Sequence, residues 1–126
     1  MLILSELVCV MRIVIDDVPE SLNKVLRMHW AVRKRYNDKW YALVRSQIVP
    51  RRRKPKGKMV VFISLMRKRL LDKDNLYGSC KVIVDGIKQL DLIVDDDPKH
   101  LDLHCTQMTG KTKATIIIIE EAQHEQ

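Results

Sequence analysis

Two groups of acidic residues, separated by one apolar segment, could carry chemistry in this chain. The first is Asp72-x-Asp74, and the second is the run Asp95-Asp96-Asp97. Carboxylate oxygens are the hard ligands that Mg²⁺ and Mn²⁺ prefer. Two carboxylates held close together repel each other unless a cation lies between them. Because such a cation can polarise a phosphate and help to generate hydroxide, the pattern indicates metal-dependent chemistry on a phosphodiester.

A strand and a helix are predicted to position these acids. Residues 58–66 form a nearly continuous apolar run, which is typical of a strand buried on both faces. Residues 76–90 place apolar side chains at helical spacing and Lys81 on another face. Since the helix carries the chain back along the strand, we expect the two acid groups to converge in space. The alternatives are a helix N-cap at Asp74 or Asn75 and a charged surface loop at 95–97.

The remaining pattern predicts one α+β domain with a mixed sheet and the element order β-α-β-α-β-β. Residues 11–16 are β-branched and suit a first strand, and residues 30–48 repeat apolar residues at helical spacing. The Tyr and Trp residues follow this spacing, so we expect them in the core rather than as base-stacking platforms. Residues 101–108 and 113–120 are predicted to form a terminal hairpin through Thr109-Gly110-Lys111. The domain is therefore expected at 11–120, with 1–10 as a candidate extension and 121–126 as a tail.

Positive charge is concentrated in one part of the chain. The formal net charge is +7, but residues 33–69 contain 14 Lys or Arg and one acid, a net +13, so the remainder carries −6. A strongly basic half indicates nucleic acid or another anionic surface as a partner. Residues 51–58 hold six basic residues in eight, and Pro55 and Gly57 oppose regular structure there. We interpret this segment as a phosphate-contacting loop, with a solvated linker as the alternative.

Several other classes of protein fit the sequence poorly. The three cysteines are odd in number and lack CxxC spacing, which argues against a disulfide framework or a thiolate zinc site. His100 and His104 would suit zinc on a helix, but the local pattern is that of a strand. The first ten residues are apolar, yet they contain Glu6 and are too short to cross a bilayer. We therefore expect a cytoplasmic protein with no membrane partner and no small-molecule cofactor.

Residues from about 18 to 100 resemble the RusA family of Holliday junction resolvases. The resemblance is carried by Pro19-Glu-Ser-Leu-Asn23, His29-Trp30, Asp72-Lys-Asp-Asn-Leu-Tyr-Gly-Ser-Cys-Lys81, Val84-Asp-Gly-Ile87 and Leu92-Ile-Val-Asp-Asp-Asp-Pro98. It implies a homodimeric, Mg²⁺- or Mn²⁺-dependent endodeoxyribonuclease that makes paired nicks in a four-way DNA junction. A nuclease of other branched DNA and a non-catalytic nucleic-acid-binding module of the same fold are the alternatives.

The resemblance also implies roles for single residues. Asp72 and Asp74 match the first two catalytic acids of the family. Asp95 and Asp96 match its later acidic pair, in which Asp96 is the better catalytic assignment. These four acids are the expected metal ligands, and Lys81 matches the catalytic lysine.

Basic residues in the loop and after the strand are the expected DNA contacts: Arg51, Arg52, Arg53, Lys54, Lys56, Arg67 and Arg69. One position departs from the family pattern, because Asp91 stands where the family usually has glycine just past the helix. That position suits the left-handed conformation, in which Asp costs on the order of 1 kcal/mol relative to Gly. The departure bears on the loop that aims Asp95 and Asp96.

Overall fold

The structure, a computed structural model, describes residues 10–48 and 54–122. Its elements follow one another as β1 (Val10–Ile15), α1 (Leu22–Leu26), α2 (Trp30–Arg45), β2 (Met59–Arg67), α3 (Lys73–Gln89), β3 (Leu101–Thr109) and β4 (Ala114–Glu121). The predicted α+β class is confirmed, and the five-residue helix α1 adds to the predicted order. Strand β4 reaches Glu121, one residue into the predicted tail. None of the described helices combines the length and hydrophobicity that crossing a bilayer needs.

The four strands form one mixed sheet in the order β1-β4-β2-β3. Strands β2 and β3 are parallel, whereas β4 runs antiparallel to both β1 and β2. The predicted hairpin between β3 and β4 is therefore wrong, because β2 lies between these strands. The connection crosses the end of β2, where the Gly110 N–H donates to the carbonyl oxygen of Arg67 at 2.9 Å. A Cβ at Gly110 would overlap the side chain of Met66, so glycine permits this close crossing.

Helices α2 and α3 cover one face of the sheet. The buried positions alternate along β2 and meet the buried residues of the helices: Met59, Val61, Ile63, Leu65, Trp40, Val44, Cys80, Ile83 and Ile87. The prediction that β2 is buried on both faces is wrong. Phe62 is 37% exposed and Ser64 is also exposed, because no described element covers the second face.

The two tryptophans occupy opposite environments. Trp40 is 1% exposed at the centre of the core, as the helical spacing predicted. Trp30 is 74% exposed, so the expectation of a core position is wrong there. The physical reason is that Trp30 is the first residue of α2 and precedes the face that packs on the sheet.

Helix α3 ends in a left-handed turn, as the family resemblance implied. Asp91 has φ 60°, in the left-handed region. Its N–H donates to the carbonyl oxygen of Lys88 at 3.1 Å, and the Leu92 N–H donates to that of Ile87 at 2.8 Å. These two bonds define a Schellman motif with Asp91 at the C′ position. The helix therefore ends normally, although Asp replaces the residue that fits this conformation best.

Helix α1 joins the starts of α2 and α3. The Asn23 N–H donates to Oδ1 of Asn75 at 2.9 Å. A Cβ at Gly78 would lie 2.6 Å from the Cβ of Leu22, so α1 packs directly on the backbone of α3. Since α1 leads within four residues to Trp30, both longer helices begin at the same end of the molecule.

Candidate metal and nucleic-acid site

The backbone just before the first acid group is held by a side chain of the neighbouring strand β3. The Leu71 N–H donates to Oε1 of Gln107 at 3.0 Å, and Nε2 of Gln107 donates to the Leu71 carbonyl oxygen at 2.6 Å. This pair of bonds fixes the backbone immediately before Asp72. No sequence pattern indicated a role for Gln107, because its contact with Leu71 depends on β3 lying beside β2.

Asp72 is the N-cap of α3, the role that the alternative interpretation gave to Asp74 or Asn75. Its Oδ1 accepts from the backbone N–H of Asn75 at 2.9 Å and from Nδ2 of Asn75 at 3.2 Å. Its Oδ2 also accepts from Nδ2, at 3.1 Å. The backbone N–H and then the side-chain amide of Asn75 hold the pKa of Asp72 below its usual value.

The cap leaves the first acid group open to solvent. Asp72 and Asp74 are both exposed, and Asp74 lies in the first turn of α3. The hydrogen bonds from Asn75 engage both carboxylate oxygens of Asp72, but they do not bury the side chain. The positive end of the helix dipole also favours negative charge here. Capping and cation binding are therefore compatible at Asp72.

The second acid group is tied to the last turn of α3 by Lys88. Its Nζ lies 2.9 Å from Oδ1 of Asp95 and 3.7 Å from Oδ1 of Asp96. The hydrogen bond from Lys88, followed by the N–H of Asp96, lowers the pKa of Asp95 to about 2. In return, the bond to Asp95 raises the pKa of Lys88. The Asp95 carboxylate is thus ionised, and the ammonium group of Lys88 offsets part of its negative charge.

One group of side chains in the described ranges has the spacing of a metal site. Asp95, Asp97 and His100 can each offer a ligand atom, and these atoms lie within 4.8 Å of one another. Nδ1 of His100 lies 2.9 Å from Oδ1 of Asp97, which also accepts from the N–H of Lys99 at 2.9 Å. Two carboxylates and an imidazole suit several divalent cations, including Mn²⁺. Asp96, the expected catalytic acid, is not a member of this group.

The helix holds the two acid groups apart within one chain. Helix α3 has 17 residues, which corresponds to a length of about 25 Å. Asp72 caps its start, whereas Asp95 is bound to Lys88 in its last turn. The expected convergence is therefore wrong for a single chain. The reason is that the chain returns to the start of β2, where Leu101 pairs with Met59, and not to its end.

Lys81 lies between the two acid groups on the exposed face of α3. Its Nζ is 3.5 Å from Oδ1 of Asp85, one turn further along the helix. Both side chains are largely exposed, so this pair contributes little to stability. The lysine remains accessible to an anionic ligand on this face.

The expected DNA contacts divide into three sets. Lys54, Lys56 and Arg69 are exposed, and Nζ of Lys54 lies 3.4 Å from Oδ2 of Asp91. Lys54 therefore places the described end of the basic loop beside the C-terminal end of α3. The expected contacts Arg51, Arg52 and Arg53 lie outside the described residues. These positions stay predictions.

The expectation that Arg67 contacts DNA is wrong for this conformation, because its side chain is buried. It is 9% exposed, and its Nη2 donates to the carbonyl oxygen of Pro19 at 2.7 Å and to Oγ of Ser79 at 3.4 Å. Its Nε is buried without an acceptor among the described residues. Burial lowers the pKa of Arg67. Because it faces the interior between α3 and the loop after β1, it does not form a DNA contact in this conformation.

No protein-family model matches this chain, and no curated protein is significantly similar to it. The structure itself defines a two-layer α+β domain, with one acidic group at the start of its longest helix and another bound to the last turn of that helix.

Proposed function

We propose that this protein is a divalent-metal-dependent endodeoxyribonuclease that makes paired nicks in four-way DNA junctions. The observation that carries the proposal is the arrangement at Asp72. Its carboxylate is held ionised by Asn75 and remains exposed at the start of α3, and the exposed cations Lys68, Arg69 and Lys73 are close to it in the sequence. The ionised carboxylate of Asp72 attracts cations and repels DNA phosphates, whereas the neighbouring lysine and arginine side chains attract phosphate.

The donor set fits Mg²⁺ or Mn²⁺, since the carboxylates are exposed and charged oxygen ligands. A bound cation would polarise the scissile phosphate and lower the pKa of a bound water. The residues proposed to hold it are Asp72, Asp74, Asp95 and Asp96. Lys81 would bind the phosphate, because its ammonium group is exposed on α3 between the two acid groups.

We propose a homodimer because the acid groups are too far apart in one chain to form a single site. In a two-fold dimer, residue i of one protomer contacts residue j of the other. An antiparallel pair of α3 helices, related by an axis near Lys81, would bring Asp74 of one protomer beside Lys88 of its partner. Such pairing matches Asp74 with Lys88, although it also places the two Lys81 ammonium groups near each other at the axis. It brings the first acid group of each protomer towards the partner's second group. Two matched sites would also provide the two cuts that a symmetric junction requires.

The same separation favours the second candidate, a non-catalytic module that binds branched DNA. A monomer with its acid groups at opposite ends of α3 would bind DNA through its cations without gathering a metal site. Cleavage assayed with Mg²⁺ or with EDTA distinguishes the two functions. Nicks that require the metal support the nuclease, whereas tight binding without nicks under Mg²⁺ or Mn²⁺ supports the module.

A further inference from the structure

Trp30 forms an exposed apolar corner between α1 and α2. Its side chain is 74% exposed, and Leu26 at the end of α1 is 60% exposed. The ring of His29 lies beside it, with ring centroids 5.6 Å apart and an interplanar angle of 34°. His29 is the N-cap of α2, and its Nδ1 accepts from the Ala31 N–H at 3.2 Å. A large aromatic side chain exposed at a fixed helix end is available to stack on a planar partner.

The surroundings of this corner are positively charged. Residues 21–37 contain five basic side chains and no acid: Lys24, Arg27, Arg33, Lys34 and Arg35. Lys24 and Lys34 form ion pairs with Glu20 and Asp38, which flank the segment. Arg27 is exposed, and the bond from its Nε to the Asn23 carbonyl oxygen neutralises no charge. Arg35 is also exposed, but it lies about 140° around the helix from Trp30. An aromatic ring within a basic surface fits nucleic acid better than it fits an apolar protein surface.

The corner lies at the same end of the molecule as Asp72. The hydrogen bond from Asn23 to Asn75 fixes α1 on the first turn of α3, and Asn75 also binds the Asp72 carboxylate. A bond from Nη2 of Arg33 to the Val25 carbonyl oxygen, at 2.9 Å, fixes α1 on the first turn of α2. The exposed ring is therefore held in a constant relation to the first acid group.

We propose that Trp30 stacks on a nucleobase that is unpaired or unstacked in branched DNA, while Arg27 binds a flanking phosphate. The inference rests on the proposed function and assigns a contact that would distinguish branched DNA from continuous duplex. In continuous duplex the bases are stacked on each other and offer no free face, whereas a branch point exposes one. The ring would thus favour junctions over duplex without reading sequence.

The test compares Trp30→Ala and Trp30→Phe with Val32→Ala, an exposed apolar residue of the same helix. Affinity for a four-way junction and for linear duplex is measured over a range of salt concentrations. We expect Trp30→Ala to weaken junction binding about tenfold, with little effect on duplex. Phe should retain most of the affinity, and Val32→Ala should match the wild type. The slope of affinity against salt should not change in Trp30→Ala, but it should fall in Arg27→Ala.

Other outcomes separate this inference from the proposed function. Unchanged junction affinity in Trp30→Ala overturns the stacking contact and leaves the nuclease proposal standing. Dissociation of a dimer by Trp30→Ala, measured by sedimentation, overturns it in favour of a contact between copies of the chain. A wild-type protein that binds neither DNA overturns both proposals.

Discussion

Asn75 donates both its backbone N–H and its side-chain amide to the carboxylate of Asp72, and its own Oδ1 accepts from Asn23. Asn75 thus holds the N-cap residue of the longest helix in place, orients its carboxylate and anchors α1. The segment Asp72-x-x-Asn75 therefore has a structural role whether or not a metal is bound. A test of chemistry at Asp72 must keep this structure intact.

Asp72→Asn meets that requirement, because Asn is as good an N-cap as Asp. We expect unfolding by urea to be nearly unchanged and junction affinity to persist, while Mg²⁺-dependent cleavage is lost. The lost cleavage would follow from replacing an anionic metal ligand by a neutral amide. Asp38→Asn, on the exposed face of α2, is the control and should cleave normally. Cleavage retained in Asp72→Asn would remove Asp72 from the site.

Mixed dimers test whether a site draws on both protomers. Asp72→Asn and Asp96→Asn should each be inactive as homodimers. A heterodimer of the two variants would contain one site with both substitutions and one with neither. Mixing should therefore restore nicking of one strand, measured on a labelled junction. No recovery from a mixture shown to exchange subunits would contradict the shared site.

Arg67 and Arg69 should respond differently to alanine. Arg67→Ala removes hydrogen bonds to Pro19 and Ser79 from a buried location, so we expect a loss of about 1–3 kcal/mol in the free energy of unfolding. Arg69→Ala should leave stability unchanged and lower junction affinity, with a salt slope smaller by about 1. Urea denaturation and binding titrations measure the two effects. The reverse assignment of effects would show that Arg67 reaches DNA.

Asp91 stores backbone strain at the end of α3. Replacing it by glycine removes the cost of the left-handed conformation, so Asp91→Gly should stabilise the fold by roughly 1 kcal/mol. Asp91→Ala removes the same carboxylate but keeps a Cβ, so it should not stabilise. Equal stabilisation by both substitutions would point to the charge beside Lys54 as the cause. Chemical denaturation distinguishes these results.

The ion pair between Lys88 and Asp95 predicts a dependence on pH. The folded pKa of Asp95 is lowered from 3.8 to about 2, so its contribution is fully present above the unfolded value. It is lost as the pH falls from near 4 towards 2. The stability difference between wild type and Lys88→Met should therefore disappear across this window. Carboxyl NMR should also show the pKa of Asp95 returning towards 3.8 in the variant, and an unchanged titration would contradict the pair.

Local sequence patterns predicted the helices and strands, but not their neighbours in space. The apolar spacing identified α2, α3 and the strands, since each needs only a periodic face. The hairpin prediction failed because a glycine turn does not reveal that β2 inserts between β3 and β4. The same dependence on pairing hid Gln107, whose contact with Leu71 exists only in the parallel register.

The candidate site was predicted in part for similar reasons. The acids and their exposure followed from residue type, and the left-handed position of Asp91 followed from the resemblance. The separation of the two acid groups depends on the end of β2 to which the chain returns after α3, and no local sequence pattern indicates that end. Arg67 read as a surface cation, but the alternation of β2 turns it inwards. Trp30 read as core because spacing cannot tell the first residue of a helix from its buried face.

The most direct measurement is cleavage of an end-labelled synthetic four-way junction beside linear duplex of the same sequence, with Mg²⁺ or EDTA. Asp72→Asn accompanies the wild type, so that a contaminating nuclease would be recognised. We expect paired, symmetric nicks in the junction alone, abolished by EDTA and absent in the variant. Tight binding of the junction without nicks under Mg²⁺ or Mn²⁺ would contradict the nuclease and leave a DNA-binding module.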